Sequence, residues 1–242
     1  EYIHFSTKDR SSMNALFKQL VKQNCTIISK PGEFNDFAGG YGFEILDPDN
    51  RRLRFRTDAL KLTNNKKWGY PDKVSHVVLN TPDMELLQDF FTSVLGFRVS
   101  DYSGDQMVFL RCNNEHHTIA LSRSNHPSVN HVAFDLSSID EFMHSIGRMK
   151  QAGHNVSWGP GRHGPGNNPF AYFVSPPGFV VEFTTELQII NEKKHQPKVW
   201  SRNDPASMDL WMTAGPPSTA QRTAMQGRPD PGFPNQINSK GK

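Results

Sequence analysis

One arrangement of strands and a helix, which occurs three times along the chain, constrains the fold more than any other feature. In the first copy the residue pattern predicts a strand, a helix and three strands, at Ile3–Thr7, Ser12–Gln23, Thr26–Ser29, Gly42–Leu46 and Leu53–Arg56. A turn at residues 47–50 joins the last two strands. A βαβββ unit is therefore predicted.

The same order is predicted for residues 130–184 and 74–122. In the later copy a helix begins at Ser138, whose capping role is favoured by Glu141 three residues on, and it ends at Gly153. In the middle copy a helix with an apolar stripe is predicted from Thr81-Pro82 to Gly96. We therefore predict an α+β fold of repeated βαβββ modules, in which the two C-terminal modules pair as a curved open barrel.

Three predicted strands each carry a metal-ligand residue type among small neighbours, with bulky apolar residues on the opposite face. These residues are His76, His131 and Glu182. An ionised carboxylate such as Glu182 is costly to bury unless it is paired or coordinated. Two imidazoles and one carboxylate can hold a divalent metal on one face and leave other positions open for substrate and dioxygen. The pattern therefore predicts a metal site.

The first copy is predicted to be a metal-free module. Aligned with the third copy, His4 corresponds to His131, Arg54 to Glu182 and Glu44 to Tyr172. An arginine offers no lone pair to a cation. Because such modules normally pair, we expect about fifty residues before this copy and interpret the chain as a fragment rather than a naturally short protein.

The predicted organisation has three parts. Residues 1–66 form the partial N-terminal module, 74–122 and 130–186 form the paired catalytic domain, and 187–242 form an irregular extension. The extension is poor in apolar residues, and roughly its last thirty are expected to be disordered. For Trp200 and the cluster Leu210-Trp211-Met212, packing on the domain is favoured over a lid on the active site.

Charge and cysteine content exclude several classes of function. The 27 Lys and Arg residues nearly balance the 24 Asp and Glu residues and are scattered, so no nucleic-acid surface is indicated. No apolar stretch is long enough to cross a membrane. Cys25 and Cys112 are too few for a disulfide framework and fit a reducing, cytoplasmic location.

Two motifs carry a resemblance to a known family. The first is Gly161-Arg162-His163, followed by Tyr172, the turn Ser175-Pro176-Pro177-Gly178 and Glu182. The second is the stretch 112–120, which contains His116 and His117. Together they resemble the vicinal oxygen chelate superfamily and, within it, the type I extradiol ring-cleaving dioxygenases. The similarity extends over residues 3–186.

The resemblance implies roles for named residues. It implies Fe(II), or less often Mn(II), held by His76, His131 and Glu182. It favours His117 over His116 as the acid–base residue, because Ala120-Leu121 follow it as in the family pattern. Tyr172 would hydrogen-bond the bound substrate, and His163 would orient it. The implied substrates are a small catechol-type diol and dioxygen, and relatives commonly form homo-oligomers.

Departures from the family pattern leave the particular catechol open. They are Ala171 before the tyrosine, Ser175 in the turn, and the loop 164–168 without an acidic residue. One alternative is a glyoxalase-like isomerase, lyase or thiol transferase that uses another divalent metal. Those relatives usually have Gln or Glu at the position of His76. A second alternative is a non-catalytic module that binds an aromatic ligand.

Overall fold

The computed structural model describes residues 2–61 and 67–232, which divide into two compact units. The first unit comprises residues 1–64 and 230–242, and the second comprises residues 65–229. Within the described residues, the helices are too short or too polar for any of them to cross a bilayer.

The first unit is one βαβββ module. Its elements are β1 (Ile3–Ser6), α1 (Arg10–Lys22), β2 (Ile27–Glu33), β3 (Tyr41–Leu46) and β4 (Arg52–Thr57). The sheet order is β1-β4-β3-β2, with β1 parallel to β4. Helix α1 starts where the Asp9 carboxylate accepts a hydrogen bond from the Ser12 amide, and it buries Met13 and Leu20. Phe43 and Phe55 stack in the core of the module.

The strand register corrects one equivalence inferred from the sequence. His4 lies opposite Arg54, whereas the residue opposite Glu182 is Ala133, two positions after His131. Tyr2, and not His4, is therefore the counterpart of His131. The alignment failed because a strand pattern of period two tolerates a shift of two residues without exposing its apolar face.

The second unit contains two further modules and the C-terminal extension. The first of these modules consists of β5 (Lys73–Thr81), α2 (Met84–Asp89), β6 (Arg98–Ser103), β7 (Met107–Arg111) and β8 (Ile119–Arg123). The next consists of β9 (Ser128–Asp135), α3 (Ile139–Gln151), β10 (Trp158–Arg162), β11 (Pro169–Val174) and β12 (Val180–Thr184). The extension supplies β13 (Lys198–Trp200), α4 (Pro205–Met208) and α5 (Thr219–Gln226).

One nine-stranded sheet runs through this unit in the order β10-β11-β12-β9-β5-β8-β7-β6-β13. Each module repeats the order seen in the first unit, with its first strand parallel to its last. Antiparallel pairing of β5 with β9 joins the two modules. The sheet is open, since β10 and β13 are its edges. The prediction of an α+β fold built from repeated βαβββ modules is confirmed.

The helix of the middle module differs from its prediction. The α-helix covers only Met84–Asp89, with the Asp83 carboxylate accepting from the Leu86 amide, and a π-helical turn follows at Phe90–Val94. Phe90 and Phe91 are adjacent, yet both are buried. Adjacent residues of a helix can both lie within a wide apolar face, and the two rings meet edge to face with their centroids 5.7 Å apart.

The expected disorder of the C-terminal residues is wrong for the described part of the extension. Helix α5 packs its Ala224 and Met225 against a buried cluster that includes Phe170 and Tyr172. The Asn80 side-chain amide donates to the Met225 carbonyl at 2.8 Å. A few apolar contacts and this hydrogen bond thus hold in place a segment whose composition is typical of disordered chains. Residues 233–242, to which the same prediction applied, lie outside the described residues.

Candidate metal centre and active site

The three predicted ligand residues lie on three adjacent strands of the second unit. His76 is on β5, His131 on β9 and Glu182 on β12, and these strands are neighbours in the sheet. Each strand points its residue to the same face, because alternate side chains of a strand share a face. The structure therefore brings together residues separated by more than a hundred positions of sequence.

The ligand-type atoms of this cluster converge. One nitrogen or oxygen from each of the three residues lies within 4.8 Å of the others. Nε2 of His76 is 3.2 Å from Oε2 of Glu182, and Nε2 of His131 is 3.0 Å from the same oxygen. All three residues are buried, with Glu182 fully enclosed.

Neighbouring polar groups orient these side chains. Nδ1 of His76 lies 3.2 Å from the Ser75 hydroxyl, and Nδ1 of His131 lies 2.7 Å from the Asn130 side-chain oxygen. The Asn168 amide donates to the other oxygen of Glu182 at 3.4 Å. Holding the far ring nitrogen leaves each Nε2 directed at the centre, which is the usual support of metal-ligating histidines.

The donor set fits a divalent cation. His131 Nε2 is buried and has no hydrogen-bond partner, although Glu182 Oε2 is only 3.0 Å away. The two atoms are at the distance of an ion pair but lack the geometry of a hydrogen bond. Two atoms that are close without hydrogen bonding are what two ligands of one ion present. An orphaned buried nitrogen would otherwise be costly.

Electrostatics keep the carboxylate ionised. Burial alone would raise the pKa of Glu182, but the nearby His76, together with His131, holds the pKa of this carboxyl well below its usual range. Burial lowers the pKa of His131, so that this imidazole favours its neutral, metal-binding form. The cluster thus presents the negative charge of Glu182 beside the neutral imidazole of His131.

His117 lies beside this cluster. Its ring centroid is 4.2 Å from that of His76, and it lines the same cavity. Burial lowers the pKa of His117 well below its usual value, with the neighbouring His76 adding to the effect. A neutral imidazole at this place can accept a proton from a bound substrate.

Strand alternation would place the adjacent residues His116 and His117 on opposite faces, but the structure does not arrange them in that way. Both lie in the loop before β8, and their Nδ1 atoms are 2.9 Å apart. His117 borders the cavity, while His116 is fully buried behind it and contacts Asp101. The stretch is not a strand here, so the alternation rule does not apply.

Tyr172 and His163 form a second polar pair on the opposite module. Nε2 of His163 lies 3.0 Å from the Tyr172 hydroxyl, and its Nδ1 lies 3.0 Å from the Met208 carbonyl oxygen. The His163 ring stacks on Phe170 at 3.9 Å. Burial raises the pKa of Tyr172 well above its usual value and Glu182 adds to this, so the phenol keeps its proton.

A cavity of about 480 Å³ opens onto these residues. Apolar side chains form part of its wall, including Met107, Phe109 and Trp158. The C-terminal extension supplies other parts, among them Met208 and Met225. A concave, mostly apolar space with a few convergent polar groups is typical of a small-molecule site, and its apolar walls suit an aromatic ring.

Sequence reasoning missed three contributors to this site. Asp101, behind His116, lies in a segment whose alternation marks it only as strand. Asn168 was considered only as part of the loop 164–168. It is fully buried, and its side-chain amide donates a hydrogen bond to Glu182. In the extension, packing on the domain was predicted only for Trp200 and the cluster Leu210-Trp211-Met212. The cavity-lining residues Met208 and Met225 gave no sequence signal, because contacts between distant segments leave no periodicity.

Comparison with known proteins agrees with this architecture. The model of the Glyoxalase/Bleomycin resistance protein/Dioxygenase superfamily matches residues 73–183. A crystal structure described as the Mn(II)-bound glyoxalase from Novosphingobium aromaticivorans is 40% identical, with a TM-score of 0.82. The match covers 91% of this chain and 73% of that chain. Paired βαβββ modules around a buried cluster of metal-ligand residues define the class. The chain belongs to the Glyoxalase/Bleomycin resistance protein/Dioxygenase superfamily.

Curated relatives match over shorter stretches. Metapyrocatechase 2 of Cupriavidus necator is 32% identical over 60% of this chain and 45% of its own length. The 2,2',3-trihydroxybiphenyl dioxygenase of Sphingomonas paucimobilis is 31% identical over 49% of this chain and 43% of its own length. The chain therefore spans less than half the length of these relatives. The catechol dioxygenase BphC, at 21% identity and a TM-score of 0.75, covers 87% of this chain and 73% of its own and shares the fold.

Proposed function

We propose that this protein is an extradiol (meta) ring-cleaving dioxygenase, which inserts both atoms of O2 into a catechol-type diol at a non-heme Fe(II). The observation that carries the proposal is the convergence of His76, His131 and Glu182 with His117 beside them. Two neutral imidazoles and one carboxylate leave a divalent ion with net positive charge and open coordination positions. The ion, when bound, would lower the pKa of a chelated diol and bring the ring and dioxygen together.

The residues around the ion have distinct tasks. His117 accepts the proton that the diol releases on binding and later returns a proton to the oxygen derived from O2. Tyr172 keeps its hydroxyl proton, and when substrate binds this proton would turn from His163 Nε2 to the substrate oxygen on its side of the cavity. His163 is held by contacts to the Met208 carbonyl and the Tyr172 hydroxyl. It sets the orientation of that hydroxyl and of the substrate's aromatic ring. The apolar side chains of the cavity wall, such as Phe109 and Trp158, would pack against the aromatic ring.

The names of the relatives support this activity with either of two metals. An iron-dependent extradiol dioxygenase from Rhodococcus jostii is 27% identical, and a manganese-dependent 2,3-dihydroxybiphenyl 1,2-dioxygenase from a Geobacillus is 28% identical. The three donors suit either ion, since both accept nitrogen and carboxylate ligands. We give Fe(II) first place and Mn(II) second.

A second candidate is favoured by one observation. The Novosphingobium relative, described as a glyoxalase, is more similar in sequence than the dioxygenases named above. An isomerase or lyase of this kind would use the same scaffold and another divalent metal. Against it stands the neutral His117 beside the cluster, which suits the proton transfers of diol cleavage.

Reconstitution tests both candidates. The full chain is loaded anaerobically with Fe(II) or Mn(II) and then mixed with air and a panel of mono- and bicyclic catechols. Extradiol cleavage predicts one equivalent of oxygen consumed for each diol and a visible band from the conjugated ring-opened product. In a parallel assay, the hemithioacetal of a 2-oxoaldehyde and a thiol is supplied. Isomerisation of that adduct, without oxygen uptake for any diol, would establish the second candidate and overturn the first.

A further inference from the structure

We propose that Asp101, His116 and His117 form a hydrogen-bonded relay that fixes the tautomer of His117, with its Nε2 as the free acceptor in the cavity. Asp101 and His116 are then positioning residues, since neither borders the reacting atoms. The relay itself rests on hydrogen-bond geometry. Only its effect on turnover rests on the proposed function.

The three groups form a continuous buried chain behind the cavity. Oδ2 of Asp101 lies 3.2 Å from Nε2 of His116, and Nδ1 of His116 lies 2.9 Å from Nδ1 of His117. His116 is 0% exposed, and Asp101 and His117 are 3% exposed. Water therefore does not compete for these hydrogen bonds, and each ring must satisfy its neighbours.

The outer end of the chain fixes the direction of every hydrogen bond in it. Asp101 also accepts from the Lys198 amide at 2.9 Å and from the Trp200 indole at 2.7 Å. An ionised carboxylate is an acceptor only, so its partner His116 Nε2 must carry the hydrogen. Burial raises the pKa of Asp101, but the His116 and Trp200 hydrogen bonds outweigh this and lower it.

The direction of the His116–His117 hydrogen bond follows from that of the Asp101–His116 hydrogen bond. Burial lowers the pKa of His116 despite the opposing effect of Asp101, so His116 is neutral and carries only one ring hydrogen. Its Nδ1 is then a lone pair, and His117 Nδ1–H must donate to it. A neutral His117 with its hydrogen on Nδ1 exposes the lone pair of Nε2, which is the atom a general base needs.

The relay also stabilises the product of proton transfer. When a substrate hydroxyl loses its proton, the O–H bond breaks, an N–H bond forms on His117 Nε2, and the electron pair stays on the substrate oxygen. The resulting imidazolium donates from Nδ1 to His116, which in turn donates to the Asp101 carboxylate. In serine proteases an aspartate performs the same tautomer-setting task on a single histidine.

Nitrogen-15 NMR tests the tautomer without any substrate. The full chain is labelled at its histidine side chains and measured metal-free and with diamagnetic Zn²⁺ bound. We expect His117 to show a protonated Nδ1 and a pyridine-type Nε2, and His116 to show a protonated Nε2. Assignment of the ring hydrogen to Nε2 of His117 in both samples would overturn the relay, whether or not the protein cleaves catechols.

Asp101→Asn is expected to reverse the direction of the hydrogen bonds in the relay, because the side-chain amide can donate to His116 Nε2. His116 would then donate from Nδ1, and His117 would carry its hydrogen on Nε2. We expect this reversed tautomer in the NMR spectrum, unchanged metal content, a fall in kcat on the order of 100-fold and a KM within about 3-fold.

Trp200→Phe is the matched control, because it removes one donor to Asp101 and leaves the relay intact. We expect it to keep the wild-type tautomer and most of the turnover. An Asp101→Asn protein that folds and keeps both the wild-type tautomer and kcat would contradict the proposal. If that variant does not fold, the wild-type spectrum decides alone. If the wild-type protein shows the predicted tautomer but cleaves no diol, the relay stands and the proposed function fails.

Discussion

Nε2 of His131 and Oε2 of Glu182 lie 3.0 Å apart without the geometry of a hydrogen bond. Both atoms are buried, and His76 Nε2 approaches the same oxygen at 3.2 Å. Three converging ligand-type atoms, of which His131 Nε2 has no hydrogen-bond partner, are stabilised best by a shared cation. The stability of the second unit and its metal content are therefore expected to be linked.

Replacement of the carboxylate is expected to remove the metal. Glu182→Gln keeps the shape of the side chain but loses the negative charge, so metal content after dialysis should fall by more than about 10-fold, as ligand-sphere changes do. Elemental analysis measures this, and the midpoint of thermal unfolding with and without Fe(II) gives a second readout. Glu186→Gln, an exposed carboxylate paired with Arg162 on the surface, is the control and should retain its metal. Full metal retention by Glu182→Gln would contradict the site.

Replacement of His117 is expected to separate turnover from metal binding. His117→Ala leaves all three candidate ligands in place, so its metal content should equal that of the wild type. Loss of the proton acceptor should lower kcat by about 10²- to 10⁴-fold. Oxygen uptake with a catechol measures this, and His154→Ala, at an exposed histidine, should have wild-type kcat. A His117→Ala protein with normal turnover would exclude the acid–base role.

Strand alternation carried most of what the sequence could predict. It placed His76, His131 and Glu182 correctly on their strands, because successive residues of a strand alternate between its two faces and this alternation is visible in the sequence. The repeated order of elements then indicated which strands would be neighbours. The convergence of the three side chains follows from these two local patterns.

The rest of the site depends on contacts that leave no local pattern. Asp101 and His116 meet through a strand and a separate loop, and nothing in either segment marks the other. Helix α5 packs at the cavity with few apolar side chains. The apolar content of its segment is so low that composition alone predicts disorder. The sequence shows that Arg54 cannot bind a cation, but its partners Asp36 and Glu44 became visible only in the structure.

The hydroxyl of Tyr172 is expected to contribute to substrate handling rather than to folding. Tyr172→Phe loses one hydrogen bond to His163, which should cost only about 0.5–1.5 kcal/mol of the free energy of unfolding. Turnover should fall about 10-fold or more, because the donor to the substrate oxygen is gone. Steady-state kinetics and urea unfolding measure the two effects on the same preparation. Tyr102→Phe, which loses a hydrogen bond from Gln88 away from the cavity, should leave kcat unchanged.

The first unit is expected to lose stability in acid through Asp36. This carboxylate accepts hydrogen bonds from Arg56 and Arg54, and the Arg56 side chain is buried, with only 2% of it exposed. The hydrogen bond from Arg56 is the largest of the effects that lower the pKa of Asp36 from 3.8 to about 2. A carboxyl group whose pKa is lower in the folded state stabilises that state above its unfolded pKa. The contribution should therefore be complete above about pH 4 and disappear as the pH falls through 2.

Asp36→Asn removes this contribution at every pH. The variant should be less stable than the wild type at neutral pH, and the difference should shrink as the pH falls from 3.8 towards 2. Hydrogen exchange of β4 peptides, corrected for intrinsic rates, reports the opening free energy of this unit by itself. Asp58→Asn is the control, since Asp58 pairs with Arg10 where both side chains are about half exposed and such pairs contribute little. A difference between wild type and Asp36→Asn that stays constant down to pH 2 would show that the carboxylate charge does not hold the two arginines.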